Sequence, residues 1–179
     1  MRILKILSNI VLILAGVYIA GGYLIPSEWM VSRSIAINAN SEKIYPLVSN
    51  FKEWEKWSPW NSSKDDSIKY TYEGPETGVG SKQSWTSKKM GKGWMQMSEA
   101  NSQSGVAYDF FIDMGRSKSS LQGKIDFAKD NEKTVVTWTD RGDSGKSFIK
   151  RWMSLLIKPM LGKDMNKGLA NLKAEAEKA

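Results

Sequence analysis

Four aspartates in strand-like segments, Asp109, Asp113, Asp126 and Asp140, are the side chains here best suited to moving a proton. A carboxylate does such work when burial lifts its pKa toward the working pH. Asp109 alternates with apolar neighbours and is expected on the solvent side of its strand, and strand carboxylates ordinarily face water. The chain has no histidine and no cysteine. That excludes Ser-His-Asp and Cys-His chemistry, His-ligated zinc, thiolate ligands and disulfides. An enzyme built on this chain would have to use carboxylates, Lys, Tyr or Arg. No acidic spacing demands a metal, and no cofactor is expected. Gly74 to Gly80 is glycine-rich but lacks the Gly-Lys-Ser/Thr ending of a phosphate loop, so it reads as a turn.

The remaining chemistry is apolar. Eight Trp and nine Met in 179 residues supply large and adaptable hydrophobic volume. Trp85, Met95, Met97, Tyr108, Phe110, Phe127 and Trp138 are expected on the inner face of a sheet, opposite Trp152 and Leu156 of the last helix. Two readings stand side by side. These side chains line a cavity for a hydrophobic ligand, with Met95, Met97, Trp138 and Trp152 as the leading wall residues, or they fill a solid core. Trp54, Trp57 and Trp60 either shape the mouth of such a cavity or pin short helices to the sheet.

The elements that must position these residues follow from periodicity. Met30 to Asn38 alternates as a strand, interrupted on its apolar face by Arg33. Ser41 is the expected N-cap of a short helix carrying Ile44, Leu47 and Val48, kinked at Pro46. Trp54 and Trp57 share one short helical turn. From Ile68 to Arg141 about six strands alternate with connections of hairpin length, so the sheet is expected to be antiparallel. Phe148 to Lys178 is helical, with a break or kink at Pro159 and Gly162 and a fraying Lys/Ala/Glu-rich end. A curved sheet around one long amphipathic helix would bury both apolar faces, and an imperfect closure would leave a hollow.

Ahead of all this stands an uncharged, almost unbroken apolar run, Ile6 to Ile25. Twenty helical residues reach about 30 Å, the thickness of a bilayer's hydrocarbon core. Residues 1–26 are therefore expected to be a transmembrane anchor and residues 27–179 the folded domain. Arg2 and Lys5 precede the run, while Glu28 and Arg33 cancel after it. That asymmetry predicts a cytoplasmic N-terminus and an extracytoplasmic domain. A cleaved secretory signal ending near Ala20-Gly21-Gly22 is the alternative, with the domain then secreted. A buried core helix is the third reading. The net charge of +7 is spread among acidic residues, with denser groups at Lys88-Lys89-Lys92 and at Lys146, Lys150, Arg151 and Lys158. These suit a solvated surface or anionic lipid headgroups. No nucleic-acid motif accompanies them.

Four stretches carry a resemblance. Trp54-Glu55-Lys56-Trp57-Ser58-Pro59-Trp60, Tyr72 to Ser81 with Trp85, Thr134-Val135-Val136-Thr137-Trp138, and Lys167 to Lys173 come in the order of the START-like, helix-grip (SRPBCC) superfamily. The sequence resembles the superfamily's bacterial polyketide cyclase/dehydrase-like branch, whose members carry an N-terminal membrane helix. The resemblance implies an α+β helix-grip fold, with a curved antiparallel sheet of six or seven strands around a long C-terminal helix. It also implies a bacterial inner-membrane location, periplasmic for the domain, and a cavity for a hydrophobic or lipid-like molecule. An enzyme of the cyclase/dehydrase kind and a non-catalytic envelope interaction module are the alternatives.

Overall fold

Seven strands pair in the order β1-β7-β6-β5-β4-β3-β2, every neighbouring pair antiparallel, in a computed structural model that describes residues 2–63, 65–115 and 117–178. The chain begins with helix α1 (Arg2–Leu24), then β1 (Glu28–Ile37), α2 (Ser41–Ser49) and α3 (Trp54–Trp57). The strands β2 (Lys69–Glu73), β3 (Lys82–Thr86), β4 (Lys92–Asn101), β5 (Gly105–Asp113), β6 (Lys118–Asp130) and β7 (Lys133–Asp143) follow, and α4 (Phe148–Ala176) closes the chain. Successive strands from β2 to β7 are joined by short connections, which is why they pair antiparallel. β1 joins them by pairing with β7, and the helix-grip expectation is met.

One face of the sheet is covered by α2, α3 and the C-terminal half of α4. Ile37, Ile44, Val48, Phe51, Trp57, Val106, Ile125, Val136, Met165, Leu169 and Leu172 are buried there. Arg33 belongs to the same face of β1, which explains the interruption of its pattern. Its guanidinium lies under Gly162 of α4, where any Cβ would collide with it, and it donates to the Ser32 carbonyl at 2.7 Å. Gly162 and Pro159 do not break α4, which runs unbroken through both. The expected fraying of the C-terminus is also corrected. Ala176 is buried, and the Glu177 carboxylate accepts from the Asn38 backbone N–H at 2.6 Å.

The cap of α2 shifts by one residue from expectation. Asn40, not Ser41, takes the N-cap, its Oδ1 accepting from the Lys43 N–H at 2.9 Å. An N-cap side chain contributes about 1 kcal/mol. Asn40→Ala is thus expected to lower stability by about that much and Ser41→Ala by far less, a contrast that chemical denaturation of the two variants would read.

Helix α1 stands apart from this core. It is long and apolar enough to cross a membrane, and nearly all its side chains are exposed. Its last turns pack on the beginning of α4: Tyr18 stacks on Trp152 with ring centroids 5.5 Å apart, and Trp152 Nε1 donates to the Tyr18 carbonyl at 2.9 Å. The reading of this segment as a buried core helix is therefore excluded.

Candidate functional site: a cavity with a buried acid at its floor

Adjacent side-chain rows on the concave face have different fates. The row through β4 to β7 and β1 is Met97, Tyr108, Gly123, Asp140, Val31. Met97, Tyr108, Asp140 and Val31 are all buried. Gly123 supplies no side chain between Tyr108 and Asp140, and the Tyr108 ring occupies the space where its Cβ would stand. Lying flat across β6, Tyr108 donates its hydroxyl to Asp140 Oδ1 at 2.8 Å. The same hydroxyl oxygen accepts from Trp138 Nε1 at 2.8 Å. Indole, phenol and carboxylate thus form one chain of hydrogen bonds within the apolar interior.

Burial pushes Asp140 up to about 6, against the partial relief of the hydrogen bonds from Tyr108 and Trp138. Burial, reinforced by the Asp140 charge, likewise drives Tyr108 well above its ordinary value. Tyr108 is therefore a fixed donor at physiological pH, while Asp140 titrates close to it. Of the four strand aspartates, two overturn the expected exposure, and Asp140 is the one whose carboxyl is raised. Asp113 is also buried, but the Gly115 N–H and Lys118 hold its carboxyl below the usual range, and it ties the end of β5 to the start of β6. The signal for Asp140 is present in the sequence: it stands two residues beyond Trp138, and Thr134, Val136, Trp138 and Asp140 share one face.

Above this row the concave face is not filled. A cavity of about 370 Å³ lies between the sheet, the segment from α3 to β2, and the middle of α4. Trp85, Met95 and Phe110 form its sheet wall, Tyr108, Trp138 and Asp140 its floor, Trp54, Trp60, Ile68 and Tyr70 one side, and Met160, Leu161 and Asp164 of α4 the other. The wall is overwhelmingly apolar. The size falls within the range of small-molecule sites, and sparse convergent polar groups in such a hollow set orientation. Exposed lining residues mark the mouth: Lys89, Met114 and Met160. One side of it is stapled by Asp65, whose carboxylate accepts from the N–H and hydroxyl of Ser67, the Ser87 hydroxyl and the Lys89 N–H.

The aromatic cluster beside the cavity is solid core. Trp57 packs edge-on against Trp138 with centroids 5.4 Å apart, and Trp54 against Tyr108 at the same separation. Trp54 and Trp57 donate their indole N–H groups to the Val48 and Leu47 carbonyls, locking α3 to α2. Gly168 of α4 lets the Trp138 ring approach the helix backbone, where an added Cβ would stand 2.8 Å from it. Hollow and filled core coexist on one face of the sheet.

Five of the residues singled out from the sequence meet at this cavity: Trp85, Met95, Tyr108, Phe110 and Trp138. Met97 and Phe127 do not reach it, being buried in the core. Trp152 and Leu156 do not face the sheet at all. Trp152 is taken up by Tyr18 and Gly21 of α1, and Leu156 is 70 % exposed on the outer side of α4. The first half of α4 is apolar around most of its circumference, so periodicity alone could not select its inward residues. The cavity-lining residues of α4 come one to two turns later, at Met160, Leu161 and Asp164.

A larger depression of about 910 Å³ lies open to solvent on the outside of the sheet and is rimmed by Glu28, Asp109, Gln122, Arg141 and Asp143. Its polar rim sits away from the titrating acid. Among the described residues no group of three or more Asp or Glu is placed to hold a metal ion.

The model for polyketide cyclase/dehydrase and lipid transport proteins matches residues 28–177. The chain belongs to that family. Solved structures agree at the level of fold. The Aha1 dimer from Colwellia psychrerythraea is similar at a TM-score of 0.58 and 17% identity, over 83% of this chain and 96% of that one. A hypothetical protein from Helicobacter pylori gives 0.61 and 12%, over 83% and 88%. A protein from Thermus thermophilus gives 0.57 and 17%, over 83% and 97%. No curated protein matches the sequence.

Proposed function

We propose that this polyketide cyclase/dehydrase-family domain binds a hydrophobic or lipid-like small molecule in the cavity, its apolar body against Trp85, Met95 and Phe110 and its polar end at Tyr108 and Asp140. The observation that carries this reading is the apolar hollow of about 370 Å³ ending on a hydrogen-bonded acid. An amphipathic ligand would exploit both features, since a buried polar group left without a partner is costly. The helix Arg2–Leu24 serves, in this reading, as a membrane anchor for the domain from residue 27 onward. Arg2 and Lys5 would hold its N-terminus in the cytoplasm and leave the domain outside. A binder tethered at a bilayer meets membrane-partitioning ligands at high local concentration.

Native mass spectrometry of the detergent-solubilised full chain against a lipid panel tests this. Retention of a ligand by the wild type and its loss in Met95→Trp, which fills the hollow, is the expected result. A wild-type chain that retains nothing from the panel overturns it.

One observation favours a second reading, an enzyme of the cyclase/dehydrase kind. Asp140, at about 6, can take or give a proton near neutral pH, and Tyr108 beside it is a donor able to stabilise an enolate oxygen. The two readings part on the mass of what is retained. A carrier returns the supplied molecule unchanged, whereas an enzyme returns it altered, and Asp140→Asn would stop the alteration without abolishing binding.

A further inference from the structure

The outer face of α4 changes character halfway along the helix. Ile149, Met153, Leu156 and Met160, spaced by four, three and four residues, form one exposed stripe that ends at the cavity mouth, and they are between 48% and 70% exposed. The same stripe continues as Lys163, Lys167, Ala170 and Ala174. A water-facing stripe of large aliphatic side chains is costly unless something covers it.

We infer that this stripe rests on the surface of the bilayer that α1 enters, as an interfacial helix that brings the cavity mouth to the lipid. The inference rests on the reading of Arg2–Leu24 as a membrane span. Three features select a lipid surface as the occupant. The stripe begins in the turn of α4 that packs on the end of α1. The Tyr18 ring stacks on Trp152, a Cβ on Gly22 would stand 2.7 Å from Phe148 Cβ, and Arg151 donates to the Tyr23 and Ile25 carbonyls at 3.1 and 3.2 Å. The start of α4 is therefore held at the end of the span, where Tyr18, Tyr23 and Trp152 supply the aromatic side chains favoured at membrane interfaces. Charge is complementary as well. From Ser144 to Lys163 the chain carries Lys146, Lys150, Arg151, Lys158 and Lys163 and no acidic residue, as an interfacial helix on anionic lipid requires. The stripe also ends at the cavity, since Met160 belongs to both, and Met114, 50% exposed, adds an apolar side chain to the rim. A lipid-like ligand would pass from membrane to cavity over apolar side chains without crossing water.

The absence of native cysteine makes a direct test simple. Met153→Cys, Leu156→Cys, Met160→Cys, Lys167→Cys and, within α1, Leu12→Cys are each made in the full chain. Each is labelled with an environment-sensitive fluorophore and reconstituted in phosphatidylethanolamine/phosphatidylglycerol vesicles containing doxyl-labelled lipid. Blue-shifted emission and severalfold stronger quenching at 153, 156 and 160 than at 167, with quenching at 12, is the expected pattern. Quenching at 12 with positions 153, 156 and 160 as wet as 167 overturns the docking while leaving the anchor intact. Labels shielded from water but unquenched by lipid reveal a second copy or another protein on the stripe and overturn it too. No quenching even at 12 removes the span, and the docking with it. Ligand retention by the cavity is a separate readout that none of these outcomes decides.

Discussion

Gly123→Ala is expected to cost about 3 kcal/mol or more, a large effect for one methyl group in a strand. The backbone at Gly123 is ordinary strand without a positive φ, so alanine meets no conformational objection there. The obstacle is the Tyr108 ring lying across it. Displacing a fully packed ring costs about 1–3 kcal/mol. Its hydroxyl then leaves Asp140 and the Trp138 indole without their partner, adding about 1–3 kcal/mol for buried polar groups left unpaired. A double-mutant cycle separates this account from a generic strand defect. In a Tyr108→Ala background the ring is gone, and Gly123→Ala should become nearly neutral. Equal destabilisation by thermal unfolding in both backgrounds would show that Tyr108 is not the reason for the glycine. The same substitution should weaken ligand retention, because the floor of the cavity is rearranged.

The second large effect is a pH dependence of stability owed to Asp140. Its carboxyl is raised from 3.8 to about 6 in the folded chain. Between those values the folded state holds a proton that the unfolded state has released, so stability falls as pH rises. The loss amounts to about 2 kcal/mol between pH 4 and pH 7, at about 1.4 kcal/mol per pKa unit. Asp140→Asn keeps an acceptor for Tyr108 but cannot ionise, and its stability should be nearly flat across that window. Asp113 and Glu177 act in the opposite sense. Their carboxyls are held below their ordinary 3.8 and 4.5 by the N–H groups of Gly115 and Asn38, and what they contribute is lost as pH falls below those values. Denaturation curves of the two proteins that run parallel from pH 4 to 7 would rule out Asp140 as the titrating group. The family's enzymatic reading gains from the same property, because an acid near 6 is useful at neutral pH only if it is neither fully protonated nor fully ionised there.

The cavity also explains why its polar content is so low. Trp60 takes the hydroxyl of Tyr70 on its backbone carbonyl at 3.0 Å, so the phenol lines the hollow while its donor is already satisfied. Gln83 is buried in the neighbouring wall. Asp140 is thus the group at the floor whose charge state can change near neutral pH.

Much of the fold was legible because it is written in local pattern. Period-two alternation from Ile68 to Arg141 marks the strands, and hairpin-length connections make them antiparallel. An uncharged, almost unbroken apolar run of twenty residues marks a helix long enough to cross a membrane. The inward parity of Trp85, Met95, Tyr108, Phe110 and Trp138 follows from the same alternation, and all five reach the cavity. Alternation, however, reports only which face a side chain takes. Met97 shares its face with Met95, yet it is buried in the core while Met95 lines the hollow. That difference depends on where the covering helices lie. Trp152 and Leu156 illustrate a related limit: a helix apolar on most sides does not say which side meets the sheet, which meets α1 and which is left open.

What the sequence determined by itself was the order of elements, the face of each strand side chain and the range of chemistry left to a chain without histidine or cysteine, all properties of near neighbours and composition. Alternation sets Asp140 on the inward face with Trp138, but the tertiary structure alone decided its partner. Its partner Tyr108 is 32 residues away in the chain and reaches it only because Gly123, on the strand between, has no side chain. Contacts across three strands depend on register, and register is settled when the whole sheet forms.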